Sequence, residues 1–159
     1  MDRLLLFTDG SVSPQSKTGY GAYLLLEERQ LTMETDFHPI VTHRFESTSS
    51  TQLELQTLIW ALEQIKGQKR QIVAYTDSQN ILRLMDRRQS LEEKDFRKKD
   101  HKLLRHHLLY RRFFALIDTL DCRLEKVKGH LPAGQKSKLE KLFSRVDRAS
   151  RKALREEKE

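Results

Sequence analysis

Two apolar segments of the chain end in the same way, at a threonine and an aspartate followed by a small residue. The first covers residues 3–9 and reaches Asp9, and the second covers residues 71–77 and reaches Asp77. Short apolar runs that stop at polar residues predict buried strands. Ligands collect at the carboxyl ends of strands in sheets with helical crossovers. If the two strands are neighbours, their carboxylates converge on one spot, where a divalent cation would relieve their repulsion.

The remaining hydrophobic pattern predicts further strands and helices. A second strand covers residues 19–28, and a third lies within residues 31–46, with an interruption near Pro39. The later elements are a helix from the cap residues 47–51 to about 66, the strand 71–77, a short helix 78–87, a long helix 101–119, a strand 122–128, a loop opened by Pro132 and Gly134, and a helix 143–156. Three strands followed by helix, strand, helix, strand and helix predict a mixed α/β layered architecture.

The first predicted helix carries an acid on its apolar face. Leu58, Leu62 and Ile65 recur at helical spacing, and Glu54, four residues before Leu58, points the same way. A carboxylate on a core face costs free energy unless it is paired, hydrogen-bonded or metal-bound. The alternative is that Glu54 only lies at the rim of the first helical turn, where the helix dipole stabilises acids.

Positive charge is concentrated in two segments of the chain. Residues 87–112 contain ten lysines and arginines against four acids, and residues 123–152 contain ten against three. Because the net charge of the whole chain is +7, the other residues are net negative, at −6. Segregated positive charge is typical of proteins that bind polyanions such as nucleic acids. The alternative is that these basic faces serve solubility alone.

Length and composition exclude several classes of protein. The chain has 159 residues, 37% of them hydrophobic, which predicts one globular domain over residues 1–159 rather than a disordered chain. No segment has the length and apolar character of a transmembrane helix or a signal peptide. The single cysteine, Cys122, cannot form an internal disulfide. We therefore expect a cytoplasmic protein that does not bind membranes.

Several motifs together resemble the type 1 ribonucleases H. The matching segments are Thr8–Ser11, Gly19–Tyr23, Gln52–Leu55 with the Ala61–Leu62 pair, Tyr75–Gln79, Lys126–His130 and Val146–Ala149. Their order and the elements that carry them agree with that family over nearly the whole chain. The resemblance implies a ribonuclease H-like fold, a mixed five-stranded sheet with helices packed on both faces. It also implies hydrolysis of the RNA strand of RNA–DNA hybrids, and we expect a monomer.

Carried over position by position, the resemblance implies four metal-binding carboxylates, Asp9, Glu54, Asp77 and Asp147. It implies two Mg²⁺ or Mn²⁺ ions, a pair that can activate water and stabilise a leaving alkoxide. His130 corresponds to a loop histidine that assists the leaving group or product release. Imidazole is a poorer ligand for magnesium than carboxylate, so proton transfer near neutral pH suits His130 better than metal binding. The chain departs from the family pattern between His130 and Asp147, where residues 131–142 predict an enlarged loop.

Nucleic-acid contacts are expected from hydroxyl groups and from the first basic segment. Around the first helix the family often has an asparagine that contacts the hybrid, and here Ser49, Ser50 and Thr51 stand instead. Their hydroxyls could still donate to sugar or phosphate oxygens, and Ser11 is also expected to contact nucleic acid. The predicted phosphate-binding residues are Lys98, Lys99, Lys102 and Arg105. The competing interpretations are a structure-selective DNA nuclease and a catalytically silent module that binds hybrids or RNA.

Overall fold

A five-stranded mixed sheet forms the centre of the fold. The computed structural model describes residues 2–33, 38–127 and 133–157, with the side chains of the last range from residue 138 onwards. The strands in these ranges are β1 (Leu4–Val12), β2 (Gly19–Glu27), β3 (Val41–Phe45), β4 (Ile72–Thr76) and β5 (Cys122–Lys126). Their order across the sheet is β3-β2-β1-β4-β5. β2 is antiparallel to β1 and β3, whereas β4 is parallel to β1 and β5, which confirms the predicted mixed sheet.

Helices connect and cover the strands. The described helices are a 3-10 helix (Glu28–Thr32), α1 (Ser50–Gln64), α2 (Gln79–Asp86), α3 (Arg88–Glu93), α4 (His107–Thr119) and α5 (Ala133–Glu157). Serine side chains begin two of them: Ser49 accepts the backbone N–H of Gln52, and Ser78 accepts that of Ile81. Such bonds satisfy N–H groups that a helix start leaves unpaired. None of the helices in the described ranges has the length and apolar content needed to cross a membrane.

Each face of the sheet buries its own apolar cluster. On one face, Leu4 and Leu6 of β1 pack with residues of α1, α2 and α4. On the other face, Leu5 and Phe7 pack with residues of α5, including Leu142. Because successive strand residues point to opposite faces, a strand covered on both sides is apolar at every position. Helices therefore cover both faces, as predicted.

Glycines allow α1 to approach the sheet closely. A Cβ atom on Gly10 of β1 would lie 2.9 Å from Leu53 Cδ2, and one on Gly21 of β2 would lie 2.3 Å from Thr57 Oγ1. Separations this short are repulsive, so only glycine permits the observed packing. Glu54 lies on the helix segment between Leu53 and Thr57, and the close packing therefore holds it against the strand that carries Asp9.

The start of α5 differs from the sequence prediction. The sequence predicts an enlarged loop over residues 131–142, but α5 begins at Ala133, so the loop prediction is wrong from that residue onward. The physical reason is the spacing of Leu139, Leu142 and Val146, which recur at intervals of three and four residues and are all buried. Burial of that face against the sheet outweighs the low helix propensity of a glycine in the first turn.

The segment before α4 also differs from the prediction. A helix is predicted from residue 101, but α4 begins only at His107. Residues 94–106 form a connection that we call the basic loop. Its residues with positive φ angles are Asp95, Phe96 and His101. Positive φ is incompatible with a right-handed helix. Leu108, in the first turn of α4, is 70% exposed.

Candidate active site

Asp9 and Asp77 lie side by side on the two central strands. The parallel pairing of β1 and β4 ends with Phe7 opposite Tyr75, and continuing that register by two residues places Asp9 beside Asp77. The predicted end of the first strand at Asp9 is wrong, because β1 continues along β2 to Val12. β4, however, ends just before Asp77. The β4 side of Asp9 is therefore no longer covered by strand pairing, and the two carboxylates share that space.

Glu54 approaches the same place from α1. Its carboxylate accepts hydrogen bonds from the hydroxyl of Ser78 and from the side chain of Asn80, both at the start of α2. Burial is the largest influence on the pKa of Glu54 and raises it, and the negative charge of Asp77 raises it further. The hydrogen bonds from Ser78 and Asn80 lower this pKa. The net shift is upward. The influence of Asp77 means that these two carboxylates face a common space.

Asp147 comes from α5, on the other face of the sheet, and contacts Asp9. Burial is the largest cause that raises the pKa of Asp9, followed by its hydrogen bond with Asp147 and the charge of Asp77, while the backbone N–H of Gly10 lowers it. The resulting pKa of Asp9 is about 8. Burial and crowding therefore favour the protonated form of Asp9, whose carboxyl shares a hydrogen bond with that of Asp147. Crowded, partly buried carboxylates behave in this way when no cation neutralises them.

Neighbours on α5 hold Asp147 in place. The Arg151 guanidinium contacts both carboxylate oxygens, with Nε 3.2 Å from Oδ1 and Nη2 2.7 Å from Oδ2. The buried Ser150 hydroxyl donates to the Asp147 backbone carbonyl at 2.9 Å and lies 3.2 Å from Ser11 Oγ. Ser11, predicted to contact nucleic acid, therefore also joins β1 to α5 two residues from Asp9.

The donor set fits a hard divalent cation. All four predicted ligands are carboxylates, the ligand type that Mg²⁺ and Mn²⁺ prefer. Among the described residues, no three acidic, histidine or cysteine side chains already have the arrangement of a metal cage. The carboxylates are linked in pairs instead, Asp9 with Asp77 and Asp147, and Glu54 with Asp77. The repulsion that leaves Asp9 protonated is the repulsion that a cation would relieve.

The family model that matches this chain is RNase H, over residues 1–154. The chain belongs to the RNase H family. Membership in this nuclease family agrees with the resemblance carried by the acidic and glycine motifs of the sequence. It also agrees with a sheet that brings acids from β1, α1, the end of β4 and α5 towards one place.

Solved RNase H structures share the fold. The RNase H domain of prototype foamy virus (PFV) has a TM-score of 0.69 at 15% identity, covering 94% of this chain and 95% of that one. LC9-RNase H1, a type 1 RNase H with the type 2 active-site motif, has a TM-score of 0.62 at 18% identity, covering 89% and 70%. The foamy viral protease-reverse transcriptase in complex with an RNA/DNA hybrid has a TM-score of 0.62 at 14% identity; the match covers 91% of this chain but only 20% of that longer chain. A search of curated proteins finds no match.

The hydroxyl and histidine predictions for this RNase H domain have different outcomes. Ser50 and Thr51 are exposed at the start of α1. Thr51 Oγ1 lies 3.5 Å from Asn80 Nδ2, and Asn80 in turn bonds to Glu54. Both hydroxyls are therefore accessible beside the carboxylates. His130 lies outside the described residues, and its role stays a prediction.

A pocket of about 230 Å³ lies next to Glu54, between α1, α2 and the start of α4. Its apolar lining consists of Leu55, Ile81, Leu84, Leu109 and Tyr110. Its polar rim includes Asn80, Arg83, Arg87 and His106. Neither arginine forms an ion pair within the part of the chain that the structure describes. The pocket therefore combines an apolar floor with two arginines that pair with no carboxylate among the residues described.

A larger cleft of about 670 Å³ borders the basic loop. Its cations are Arg87, Lys94, Arg97, Lys98 and Lys99. Lys102 and Arg105, which were also predicted to bind phosphate, are exposed on the same loop but do not line the cleft. Because Arg87 borders both the cleft and the smaller pocket, positive charge continues from the neighbourhood of Glu54 into the basic loop.

Internal contacts fix the shape of the basic loop. Phe96 is 5% exposed, and the Arg111 guanidinium lies 4.4 Å from the centre of its ring. The backbone N–H of Leu104 donates to the Phe96 carbonyl, and that of Lys98 donates to the Lys102 carbonyl, both at 2.8 Å. The loop therefore presents its cations on an anchored backbone, although the side chains themselves extend into solvent.

Sequence reasoning missed the residues that support the acids. The spacing of four between Asp147 and Arg151 is a recognisable signal for a helical ion pair, and Ser78 is a recognisable N-cap. Neither signal predicts the contacts that these residues make with other elements. The hydroxyl of Ser78 also donates to Glu54, for example, because α2 packs beside α1. Arg83 and Arg87 likewise can be recognised as pocket residues only from the structure, in which the start of α4 forms one side of the pocket.

Proposed function

We propose that the chain is an endonuclease that hydrolyses the RNA strand of RNA–DNA hybrids with two Mg²⁺ or Mn²⁺ ions. The observation that carries the proposal is the approach of carboxylates from β1, α1, the end of β4 and α5 in a member of the RNase H family. The foamy viral protease-reverse transcriptase, which shares the fold, has been solved in complex with an RNA/DNA hybrid. That complex supports a hybrid as the substrate of this chain.

The four carboxylates act by holding the ions in a fixed relation to the substrate. When bound, two divalent ions make an attacking water more basic and stabilise the oxygen that leaves phosphorus. Asp9 would hold a cation in its deprotonated form, and the hydroxyl of Ser78 keeps Glu54 oriented. The water gives up a proton to solvent as its oxygen bonds to phosphorus, the bond from phosphorus to the leaving ribose oxygen breaks, and that oxygen takes up a proton. His130 is the group proposed to transfer this proton.

Substrate binding is assigned to the surfaces around the carboxylates. Ser50 and Thr51, exposed at the start of α1, are proposed to donate to sugar or phosphate oxygens. Arg83 and Arg87, at the rim of the smaller pocket, are proposed to neutralise phosphates. The cations of the basic loop extend this surface. Contacts to phosphate and sugar carry no base sequence, so the enzyme is expected to recognise the shape and 2′-hydroxyls of an A-like duplex. We further propose that it acts as a monomer in the cytoplasm.

The test is a comparison of labelled substrates with and without Mg²⁺. The substrates are an RNA–DNA hybrid, duplex RNA, duplex DNA and each single strand. We expect Mg²⁺-dependent cleavage of the RNA strand of the hybrid by the wild type, none by Asp9→Asn, and wild-type cleavage by Asp86→Asn. Asp86 is a matched control because it is an exposed acid at the far end of α2.

Two other results would replace the proposal. Preferred cleavage of duplex DNA would indicate a structure-selective DNA nuclease. Tight hybrid binding with no cleavage of any substrate, in Mg²⁺ and in Mn²⁺, would indicate a catalytically silent binding module of the same fold.

A further inference from the structure

Arg151 forms an ion pair with Asp147, a carboxylate that is assigned to metal binding. Its guanidinium contacts both oxygens of Asp147, at 3.2 Å and 2.7 Å. The acid precedes the base by four residues on α5, the order that favours such pairs on a helix. The Arg151 side chain is 62% exposed and that of Asp147 is 27% exposed. Asp147 therefore has a counter-charge from its own helix, and that counter-charge can move into solvent without opening the core.

The other three carboxylates have no such partner. In the described part of the chain, no ion pair involves Asp9, Glu54 or Asp77; Glu54 accepts from the neutral Ser78 and Asn80, and Asp9 is paired with Asp147. Among the described residues, a divalent cation that approaches the four acids therefore meets a paired positive charge only at Asp147. A guanidinium that engages both oxygens leaves fewer favourable positions for a second cation, and two cations on one carboxylate repel each other.

We propose that Arg151 is a positioning residue that holds Asp147 in the metal-free protein and releases it when a divalent cation binds, and that this exchange lowers the cation affinity of the site. The inference rests on the proposed function, since it takes Asp147 as a metal ligand. Its consequence is that Asp147, although it lies beside Asp9, becomes available as a metal ligand only when a cation outcompetes Arg151. The fourth carboxylate then completes the site only when the ion is present.

Arg148 offers a matched control on the same helix. It is exposed and adjacent to Asp147 in the chain. Neighbouring helix residues do not face each other, and Arg148 forms no ion pair among the described residues. Arg148→Ala therefore removes the same charge from the same helix as Arg151→Ala, but leaves the contact with Asp147 intact.

The experiment is a calorimetric titration of the full chain with Mg²⁺ in the absence of nucleic acid. We expect Arg151→Ala to bind Mg²⁺ about 2–5-fold more tightly than Arg148→Ala, the range that corresponds to a partly exposed ion pair. Arg151→Lys should lie between the wild type and Arg151→Ala, because an ammonium cannot engage both oxygens as a guanidinium does. In an Asp147→Asn background, Arg151→Ala should change Mg²⁺ affinity no more than Arg148→Ala does.

The outcomes separate this inference from the proposed function. If Arg151→Ala binds Mg²⁺ no more tightly than Arg148→Ala, while Asp77→Asn weakens binding, the inference is wrong and the proposed site stands. If the wild type binds no Mg²⁺, or Asp77→Asn binds it as the wild type does, both are wrong. Circular dichroism of each variant at the titration temperature verifies that all are folded.

Discussion

The carboxylate site (Asp9, Glu54, Asp77 and Asp147) and the basic loop carry charges of opposite sign and are built differently. Asp9, Glu54 and Asp147 are partly buried and hydrogen-bonded, whereas Asp77 is exposed; the acids influence one another, as the raised pKa of Asp9 shows. The cations of the basic loop are exposed, and Lys98 and Lys99 form no ion pair among the described residues. Only the backbone of the loop is fixed, through the buried Phe96.

This difference predicts different responses to substitution. In the carboxylate site each acid depends on the others, so the loss of one should disable the whole site. In the basic loop the cations act separately through solvent-screened attraction. Their effects should be small, cumulative and dependent on salt. The predictions below begin with the largest expected effect.

The largest effect is expected from Asp77→Asn. We expect hybrid cleavage to fall by more than about 10³-fold, because the bound metals supply several kcal/mol of transition-state stabilisation and each 1.36 kcal/mol is a factor of ten in rate. Single-turnover cleavage at saturating enzyme and fixed Mg²⁺ measures it, with Asp86→Asn as the control. Cleavage by Asp77→Asn at the wild-type rate would show that Asp77 is not part of the catalytic site and would contradict the proposed mutual dependence of the four carboxylates.

A smaller catalytic effect is expected from His130→Ala. The metals still activate water in this variant, so we expect a loss of about 10²–10⁴-fold, the contribution typical of a general acid or base. Turnover measured from pH 6 to pH 9 should also lose the limb that titrates with histidine in the wild type. If turnover and its pH profile are unchanged, His130 does not take part in the reaction.

The basic loop should affect binding rather than chemistry. Replacement of Lys98, Lys99, Lys102 and Arg105 by alanine should raise KM several-fold and change kcat little, because uniform binding is what is lost. The salt dependence of hybrid affinity should become shallower by about 0.9 per lost phosphate contact if the duplex behaves like B-form DNA. Affinity is measured at several salt concentrations in an Asp9→Asn background with Mg²⁺.

A charge-matched pair of variants sharpens this prediction. Lys98→Ala/Lys99→Ala removes two cations of the cleft, and Lys66→Ala/Lys69→Ala removes two exposed cations that precede β4, at the opposite end of that strand from Asp77. Only the first pair should lower hybrid affinity and the salt slope. Equal effects of the two pairs would mean that the basic loop contributes only general charge.

The smallest effect concerns stability without metal. Because the pKa of Asp9 is raised from 3.8 to about 8 in the folded protein, folding holds a proton that the unfolded chain releases above about pH 4. Ionisation of Asp9 therefore lowers the free energy of unfolding progressively as the pH rises from about 4 to about 8, and this loss is constant above that range. Asp9→Asn should remove this loss and raise Tm at pH 8 in EDTA, by about 2–4 °C for each kcal/mol regained in a domain of this length.

Thermal unfolding in EDTA from pH 5 to pH 9 measures this stability effect. The Tm difference between Asp9→Asn and wild type should grow with pH and shrink when Mg²⁺ is added, since a bound cation neutralises the same charges. A difference that is constant over this range would contradict the account of crowded carboxylates.

The same two regions differ in how far the sequence predicts them. β1, β4 and α1 carry strong apolar patterns, so the acids attached to them could be assigned to the ends of two strands and to a helix from the sequence alone, whereas the adjacency of the two strands comes from the structure. The start of α5 could not, because a proline and a glycine near residues 132–134 are typical of loops. Leu139 and Leu142 form a buried helical face only because they pack against Leu5 and Phe7 of the sheet, and this contact is not visible in the sequence.

The basic loop illustrates a different limit. Its charge is evident in the sequence, and that charge correctly identifies an exposed cationic surface. Its shape depends on positive φ angles at three non-glycine residues, held by tertiary contacts such as that between Arg111 and Phe96. Residue-level propensities cannot reveal such angles. They predict a helix from residue 101 instead, and they do not predict the cleft that Arg87 and the basic loop line together.

The most direct test of the central claim is strand-specific cleavage of a hybrid that carries different labels on its RNA and DNA strands. The measurement compares the wild type, Asp77→Asn and the quadruple variant of the basic loop at saturating enzyme. The account predicts Mg²⁺-dependent cleavage of the RNA strand alone, nearly equal rates for the wild type and the loop variant, and no cleavage by Asp77→Asn. Cleavage of the DNA strand, or a loop variant as inactive as Asp77→Asn when fully bound, would contradict the division between a catalytic carboxylate site and a binding loop.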